Sequence, residues 1–239
     1  MTRRAIGSIL PSSNRTVERT TEAVLRHFPE LDSCYARITY YGAGLGQPEH
    51  GYDMEGYRHA AWQLSHAKVD VVTWNGTKGA GQGLQGDHDL SAMMSEAAGC
   101  PATTAAIGTE ALLRRLGATR VGFVTPGNTA YAAEAAAGLG VTLAGVRTLG
   151  LTDNLASAAV EPSRIAALAR EVADEAKPDA ILLWSTNLPG WSVMPALEAE
   201  LGLPVLDSAC IGVWDCLRVL GIDPRPAAAM GKMFALPPG

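Results

Sequence analysis

Asp179-Ala180-Ile181-Leu182-Leu183-Trp184-Ser185-Thr186-Asn187 decides how this chain is read. Ala180 to Trp184 is an unbroken apolar run, as expected of a strand buried on both faces. It then breaks into three small polar side chains, at the strand end where open α/β sheets bind their ligands. The design occurs a second time. Asp70 is followed by Val71-Val72-Thr73-Trp74 and then by Asn75-Gly76-Thr77. In both copies the sixth residue after the Asp precedes a Thr, so Gly76 stands where Ser185 stands. Two matching strand ends point to one site between two matching halves.

Working outward, the chain alternates strands and helices. Ile6 to Leu10 is a strand, and Pro11-Ser12-Ser13-Asn14 is a polar turn able to cap the helix that runs to about His27. Cys34 to Tyr41 alternates like a strand, and Gly42 to His50 is a Gly-rich loop. A helix over Met54 to Lys68 leads into the Val69 to Trp74 strand. Asn75 to Gly86 is a long loop, and Asp89 caps a helix through Ala98. Cys100 to Thr104 is a short strand, and the helix from Ile107 to Leu116 is closed by Gly117.

The pattern then restarts. Arg120 to Thr125 is a strand, Ala130 to Leu139 a helix and Val141 to Leu149 a strand; Pro162 opens a helix through Ala176. A helix from about Val193 to Leu201, a strand at Val205-Leu206 and a helix from Ser208 to Leu220 follow the Ala180 strand. The restart is an internal repeat. Ile6-Gly7-Ser8-Ile9-Leu10-Pro11 matches Val121-Gly122-Phe123-Val124-Thr125-Pro126. Ile107-Gly108 through Leu116-Gly117 matches Ile211-Gly212 through Leu220-Gly221. The expected fold is α/β: two pseudosymmetric, Rossmann-like (flavodoxin-like) halves, each with a mostly parallel four-stranded sheet. Residues 1–117 with 212–239 form the first half and 118–211 the second, with the active site in the cleft between them.

Composition narrows the function. The 239 residues are 47% apolar and 18% charged, with a net charge of −5. That mild acidity gives no electrostatic reason to expect nucleic acid or an anionic membrane as a partner. No apolar run approaches the roughly 20 residues of a membrane span. The apolar run near the N-terminus is only about six residues, too short for a signal peptide, so the expected compartment is the cytoplasm. Cys34, Cys100, Cys210 and Cys216 show no CxxC spacing, so neither zinc nor a disulfide framework is indicated. Gly79 to Gly83 lacks the GK[ST] ending of a phosphate loop.

Several segments resemble the aspartate/glutamate racemase superfamily, in its arylmalonate decarboxylase and maleate isomerase branch. Leu10-Pro11-Ser12-Ser13-Asn14 is similar to the first turn of maleate isomerases, and Gly76-Thr77 to the Gly-Thr of arylmalonate decarboxylases. Gly99 to Thr104, Leu149 to Thr152 and Gly212 to Asp215 resemble decarboxylase segments in the same order. Ser185-Thr186-Asn187-Leu188 resembles the Cys-Thr-Asn-Leu of maleate isomerases. The resemblance implies a small carboxylic or dicarboxylic acid substrate and no cofactor. Racemases of this kind use two cysteines, the isomerases need the first as a nucleophile, and the decarboxylases use the second to protonate an enediolate. Here those positions are Gly76 and Ser185, and both thiols are absent. A thiol is readily tuned toward neutrality; a serine hydroxyl is far less acidic.

The candidate catalytic residues are therefore Ser185, Gly76, Thr77 and Lys78. Amides after Gly76, with Thr77 and Lys78, would stabilise a carboxylate or enolate; a flexible surface loop is the plain alternative. Ser12, Ser13, Asn14, Asn75, Asn128, Thr186 and Asn187 are the candidate substrate-binding residues, with simple helix capping the alternative for the first three. Gly127 sits where the family has a Tyr donor, a place Asn128 or Tyr131 would have to fill. Asp87-His88-Asp89 reads as a solvated helix cap that could provide a base, and His50 and Tyr52 read as loop residues able to form a lid. The leading expectation is a cofactor-independent, decarboxylase-like lyase. A maleate-isomerase-like isomerase, a Ser-dependent hydrolase and a catalytically silent carboxylate binder are the alternatives. A homo-oligomer stays open.

Overall fold

In the computed structural model, which describes residues 3–41 and 46–238, the two repeats form two sheets of four parallel strands. The first holds β1 (Arg4–Pro11), β2 (Leu31–Ile38), β3 (Val71–Trp74) and β4 (Ala102–Thr104), in the order β2-β1-β3-β4. The second holds β5 (Arg120–Thr125), β6 (Thr142–Thr148), β7 (Ala180–Leu183) and β8 (Val205–Asp207), in the order β6-β5-β7-β8. Both central strands, β3 and β7, are buried along their whole length. That is why they read as apolar runs and not as alternation.

The aspartate that precedes each central strand does the same work in both sheets. Asp70 Oδ2 accepts from the Ala5 N–H at 2.7 Å, and its own N–H donates to the Ala5 carbonyl at 2.8 Å. Asp179 Oδ2 accepts from the Arg120 N–H at 2.8 Å, and its N–H donates to the Arg120 carbonyl at 2.8 Å. Each carboxylate thus latches the start of the neighbouring strand, which fixes its register.

Helices α1 (Val17–Leu25), α2 (Met54–His66), α3 (Gln85–Ala98) and α4 (Ala105–Leu116) follow the strands of the first repeat. Helices α5 (Thr129–Gly138), α6 (Asn154–Ala158), α7 (Pro162–Ala176), α8 (Met194–Leu201) and α9 (Ser208–Val219) belong to the second. Helix α9 does not stay with its own sheet. It packs against α4, α1, β3 and β4 of the first repeat. Gly108 of α4 meets Asp215 of α9, and Gly212 meets Asn75, so closely that a Cβ at either glycine would overlap its neighbour.

Three local expectations need correction. Helix α3 starts at Gln85, ahead of Asp89, because Asp87 turns inward and is fully buried. The chain beyond α9 touches both halves and not the first alone: Lys232 N–H donates to Glu198 Oε2 of α8 at 2.7 Å, Met233 and Phe234 are buried, and Arg115 of α4 donates to the Pro237 carbonyl. The long loop after β3 contains a 3-10 turn, Gly79–Gln82. Residues 42–45 of the expected Gly-rich loop lie outside the described residues. Among the described residues, no helix is long and apolar enough to cross a membrane.

Candidate active site

The C-terminal ends of β1, β3, β5 and β7 face one cavity of about 620 Å³, lined by both repeats. Two of the loops that wall it cross to the other half. The loop after β3 lies on α5, at a point where Gly138 leaves room for the carbonyl of Ala80. A Cβ at Gly138 would stand 1.6 Å from that oxygen. The loop after β7 lies on the start of α1: Arg15 N–H donates to Asn187 Oδ1 at 2.9 Å, and Thr16 Oγ1 donates to the Asn187 carbonyl at 3.1 Å.

Gly76, Thr77, Lys78, Ser185, Thr186, Asn14 and Asn128 all line the cavity. Gly76 is there without a side chain for a local reason. The indole of Trp74 lies against it, and a Cβ at position 76 would be 2.2 Å from Trp74 Cζ2. Trp74 is fully buried and packs edge-on to Tyr57, with ring centroids 4.9 Å apart. Thr77 Oγ1 is 2.7 Å from the hydroxyl of Tyr131, which comes from the first turn of α5. Burial, with Tyr40 and Glu134 nearby, pushes the Tyr131 phenol above its ordinary range, so it remains a neutral hydrogen-bonding group. Lys78 Nζ donates to the Pro48 carbonyl and lies 6.0 Å from the centre of the Tyr52 ring. Ser185 Oγ accepts from the Asn187 N–H at 3.2 Å, which leaves its own proton free to donate.

Asn14 lines the cavity with both ends of its side chain engaged. Oδ1 accepts from the N–H groups of Thr16 and Val17, each at 2.9 Å, and Nδ2 donates to the Thr186 carbonyl at 3.2 Å. It caps α1 and pins the two halves together. Asn128 caps α5 by accepting from the Tyr131 N–H at 2.9 Å, which fixes the start of the helix that carries Tyr131.

Four expected binding residues do not line the cavity. Ser12 and Ser13 donate to the Tyr40 carbonyl, at 3.1 and 3.0 Å. Asn75 is buried and donates to the Ala209 carbonyl at 3.2 Å. Asn187 donates to the Asn154 carbonyl at 2.5 Å while holding Arg15. These are fastenings of the walls. Tyr52 is not a lid residue either; its hydroxyl donates inward to Asp87 Oδ2 at 3.2 Å, while His50 is exposed. No cysteine lines the cavity. Cys210 and Cys216 are fully buried, and burial first of all pushes their thiols well up.

Tyr40 and Leu151 line the cavity without having been singled out. Both lie just past the ends of outer strands, β2 and β6, where the same strand-end rule that found Ser185 would have flagged them. Trp74 lines the cavity too, while the rest of its ring belongs to the core of the first half.

The chain matches the arylmalonate decarboxylase family model over residues 26–234. It is 33% identical to the arylmalonate decarboxylase of Bordetella bronchiseptica over 216 residues, 84% of this chain and 88% of that protein. It is 27% identical to the maleate isomerase of Nocardia farcinica over 239 residues, 95% of this chain and 93% of that protein. A crystal structure of arylmalonate decarboxylase superposes with a TM-score of 0.80 at 28% identity, covering 97% of this chain and 99% of that one.

Proposed function

Since the chain belongs to the arylmalonate decarboxylase family, in the branch that also holds the maleate isomerases, we propose that it is a cofactor-independent, decarboxylase-like lyase acting on a small carboxylic or dicarboxylic acid. The family supplies decarboxylases and isomerases. The contact between Trp74 and Gly76 favours the first. An isomerase of this kind needs a nucleophile at the position of Gly76, and the Trp74 indole fills the space its side chain would take. Loss of CO2 needs no nucleophile. It needs an electron sink and a donor of one proton.

The residues supply both roles. As the C–C bond to the departing carboxylate breaks, its electron pair moves into the remaining carboxyl group, which becomes an enediolate. Amide groups after Gly76, the Thr77 and Tyr131 hydroxyls and the Lys78 ammonium stabilise that charge. Pro11, Tyr40 and Leu151 give the cavity apolar wall, which disfavours the charged ground state. The proton that completes the new C–H bond comes from the side of Ser185, through its hydroxyl or a water held by it. The active site is the cleft between the halves, and neither position used by the family's catalytic thiols carries one. The hydrolase reading lacks the usual histidine base: among the described residues no histidine lines the cavity, and Glu49, Glu134 and Asp153 are its carboxylates.

Turnover against malonates, arylmalonates, maleate and simple amides, followed as CO2 release, isomer ratio or ammonia, tests this reading. CO2 release from a malonate-type acid is expected. Isomerisation of maleate without CO2 release would replace it with the isomerase. A rise in melting temperature with carboxylates, but no turnover of any of them, would leave a silent binder.

A further inference from the structure

Asp87 has no part in the chemistry above, yet it is the buried carboxyl closest to the loop that performs it. It sits in the first turn of α3, fully buried, beneath the loop after β3. Gly79, two residues past Thr77, lies directly on it: a Cβ there would be 1.6 Å from Asp87 Oδ2 and 2.2 Å from the Tyr52 hydroxyl. Tyr52 donates to Oδ2, and Oδ1 makes no hydrogen bond. The Tyr52 ring lies beneath the Lys78 ammonium and packs edge-on to Tyr57, whose ring meets Trp74, the support of Gly76. Every residue of the Gly76-Thr77-Lys78 segment, or its neighbour, thus rests on a cluster with Asp87 at its base.

Resting on the decarboxylase-like reading of this loop, we propose that Asp87 is a positioning residue for anion binding: neutral, it lets the loop hold a carboxylate, and ionised, it opposes one. The electrostatic reason is direct. On that reading the loop amides present their positive ends to the substrate, and a carboxylate beneath them would cancel that field in a poorly screened interior. Burial dominates the acidity of Asp87 and pushes it up to about 6, tempered by the nearby Thr104 hydroxyl, the Tyr52 hydrogen bond and the charge of His88. The groups facing Asp87 are Tyr52 before α2, Tyr57 on α2, Thr104 at the start of α4, His88 beside it on α3 and Lys78 above the Tyr52 ring. The two tyrosines are held neutral by burial, which raises both. Asp87 is then the group whose charge changes beneath the loop near neutrality.

The probe is phenylacetate, which stays ionised above about pH 5.5, titrated calorimetrically into the full-length protein from about pH 5.5 to about pH 8. Wild type should lose about tenfold in affinity as the pH rises, a drop worth about 1.4 kcal/mol. Asp87→Asn should bind tightly across the range without the slope. Tyr52→Phe removes a hydrogen bond that favours the carboxylate, so the midpoint of the slope should move to higher pH. His88→Gln removes a neighbouring positive charge that also favours the carboxylate, so its midpoint should move in the same direction, to higher pH. A cluster with a merely structural role would weaken binding equally at every pH. The proposal is overturned if Asp87→Asn keeps the wild-type slope, or if Tyr52→Phe, which also serves should Asp87→Asn not fold, leaves the midpoint in place. If wild type binds neither phenylacetate nor malonate at any pH, the carboxylate reading of the site falls, and this inference with it.

Discussion

The hydroxyls of Thr77 and Tyr131 are 2.7 Å apart, one on the loop after β3 and the other on α5 of the opposite half. They close the cavity with a pair that is ready to turn toward an anionic oxygen. Tyr131→Phe and Thr77→Val are each expected to weaken malonate binding roughly 10- to 100-fold, the scale of a hydrogen bond to a charged group. The double variant should lose less than the product of the two, because the groups share one ligand. Isothermal titration of the three proteins measures this, and wild-type affinity in Tyr131→Phe would remove Tyr131 from the site.

A second expectation concerns the glycine over the indole. Gly76→Cys or Gly76→Ala forces atoms to 2.2 Å from Trp74, so the indole or the loop has to move. The cost should be about 1–3 kcal/mol, the range for overpacking a filled core. Adding Trp74→Phe to Gly76→Cys should recover part of the lost melting temperature. If Gly76→Cys melts like wild type, the Trp74 contact does not keep the position empty.

Ser185 is expected to matter for rate more than for stability. Its side chain makes one hydrogen bond, as acceptor from Asn187 N–H, so Ser185→Ala should leave the melting curve nearly unchanged. Turnover should fall by roughly 10²–10⁴-fold, the usual contribution of a placed proton donor. Ser185→Cys should keep or raise activity on an arylmalonate and add a titrating thiol to the pH profile. Unchanged turnover in Ser185→Ala would mean that the proton arrives from another group.

A fourth expectation concerns pH and the second half. Asp207 caps α9 through the Cys210 N–H at 2.9 Å, is fully buried, and is pushed up to about 7 by that burial. The folded protein therefore holds its proton more tightly than the unfolded chain does. The stability this carries is fully present below the ordinary carboxylate range near pH 4 and is lost as the pH rises through about 7. Asp207→Asn keeps a capping oxygen and removes the titration. Its melting temperature relative to wild type should rise from about pH 5 to about pH 8. A constant difference would show that Asp207 does not titrate in that window.

The fold was legible because its signals are local and repeated. Asp70 and Asp179 head two central strands of four residues each, and both carboxylates turn out to latch the adjacent strand. The strand-end rule found Gly76, Thr77 and Ser185. It did not separate side chains that reach the cavity from those that hold its walls, since Asn14 and Asn187 have the same chemistry and burial and only Asn14 reaches the cavity. Asp87 was misread for a related reason. A charged residue in a first helical turn ordinarily faces solvent and favours the helix dipole. Only the glycine at position 79, bare of a side chain, makes room for it to turn inward. The reach of Tyr131 to Thr77 depends on how two halves dock, and no local pattern in the sequence encodes that.

Helix α9 also sets the order of assembly. It is the last α-helix of the chain, and it covers β3 and β4 of the first sheet beside α1. During synthesis that face stays bare until residues 208–219 have left the ribosome. The first repeat waits as an incomplete body while the second is still being made, and contacts so distant in sequence form slowly. A chain cut before α9 would therefore yield no finished half, only an exposed sheet face that chaperones and proteases can find.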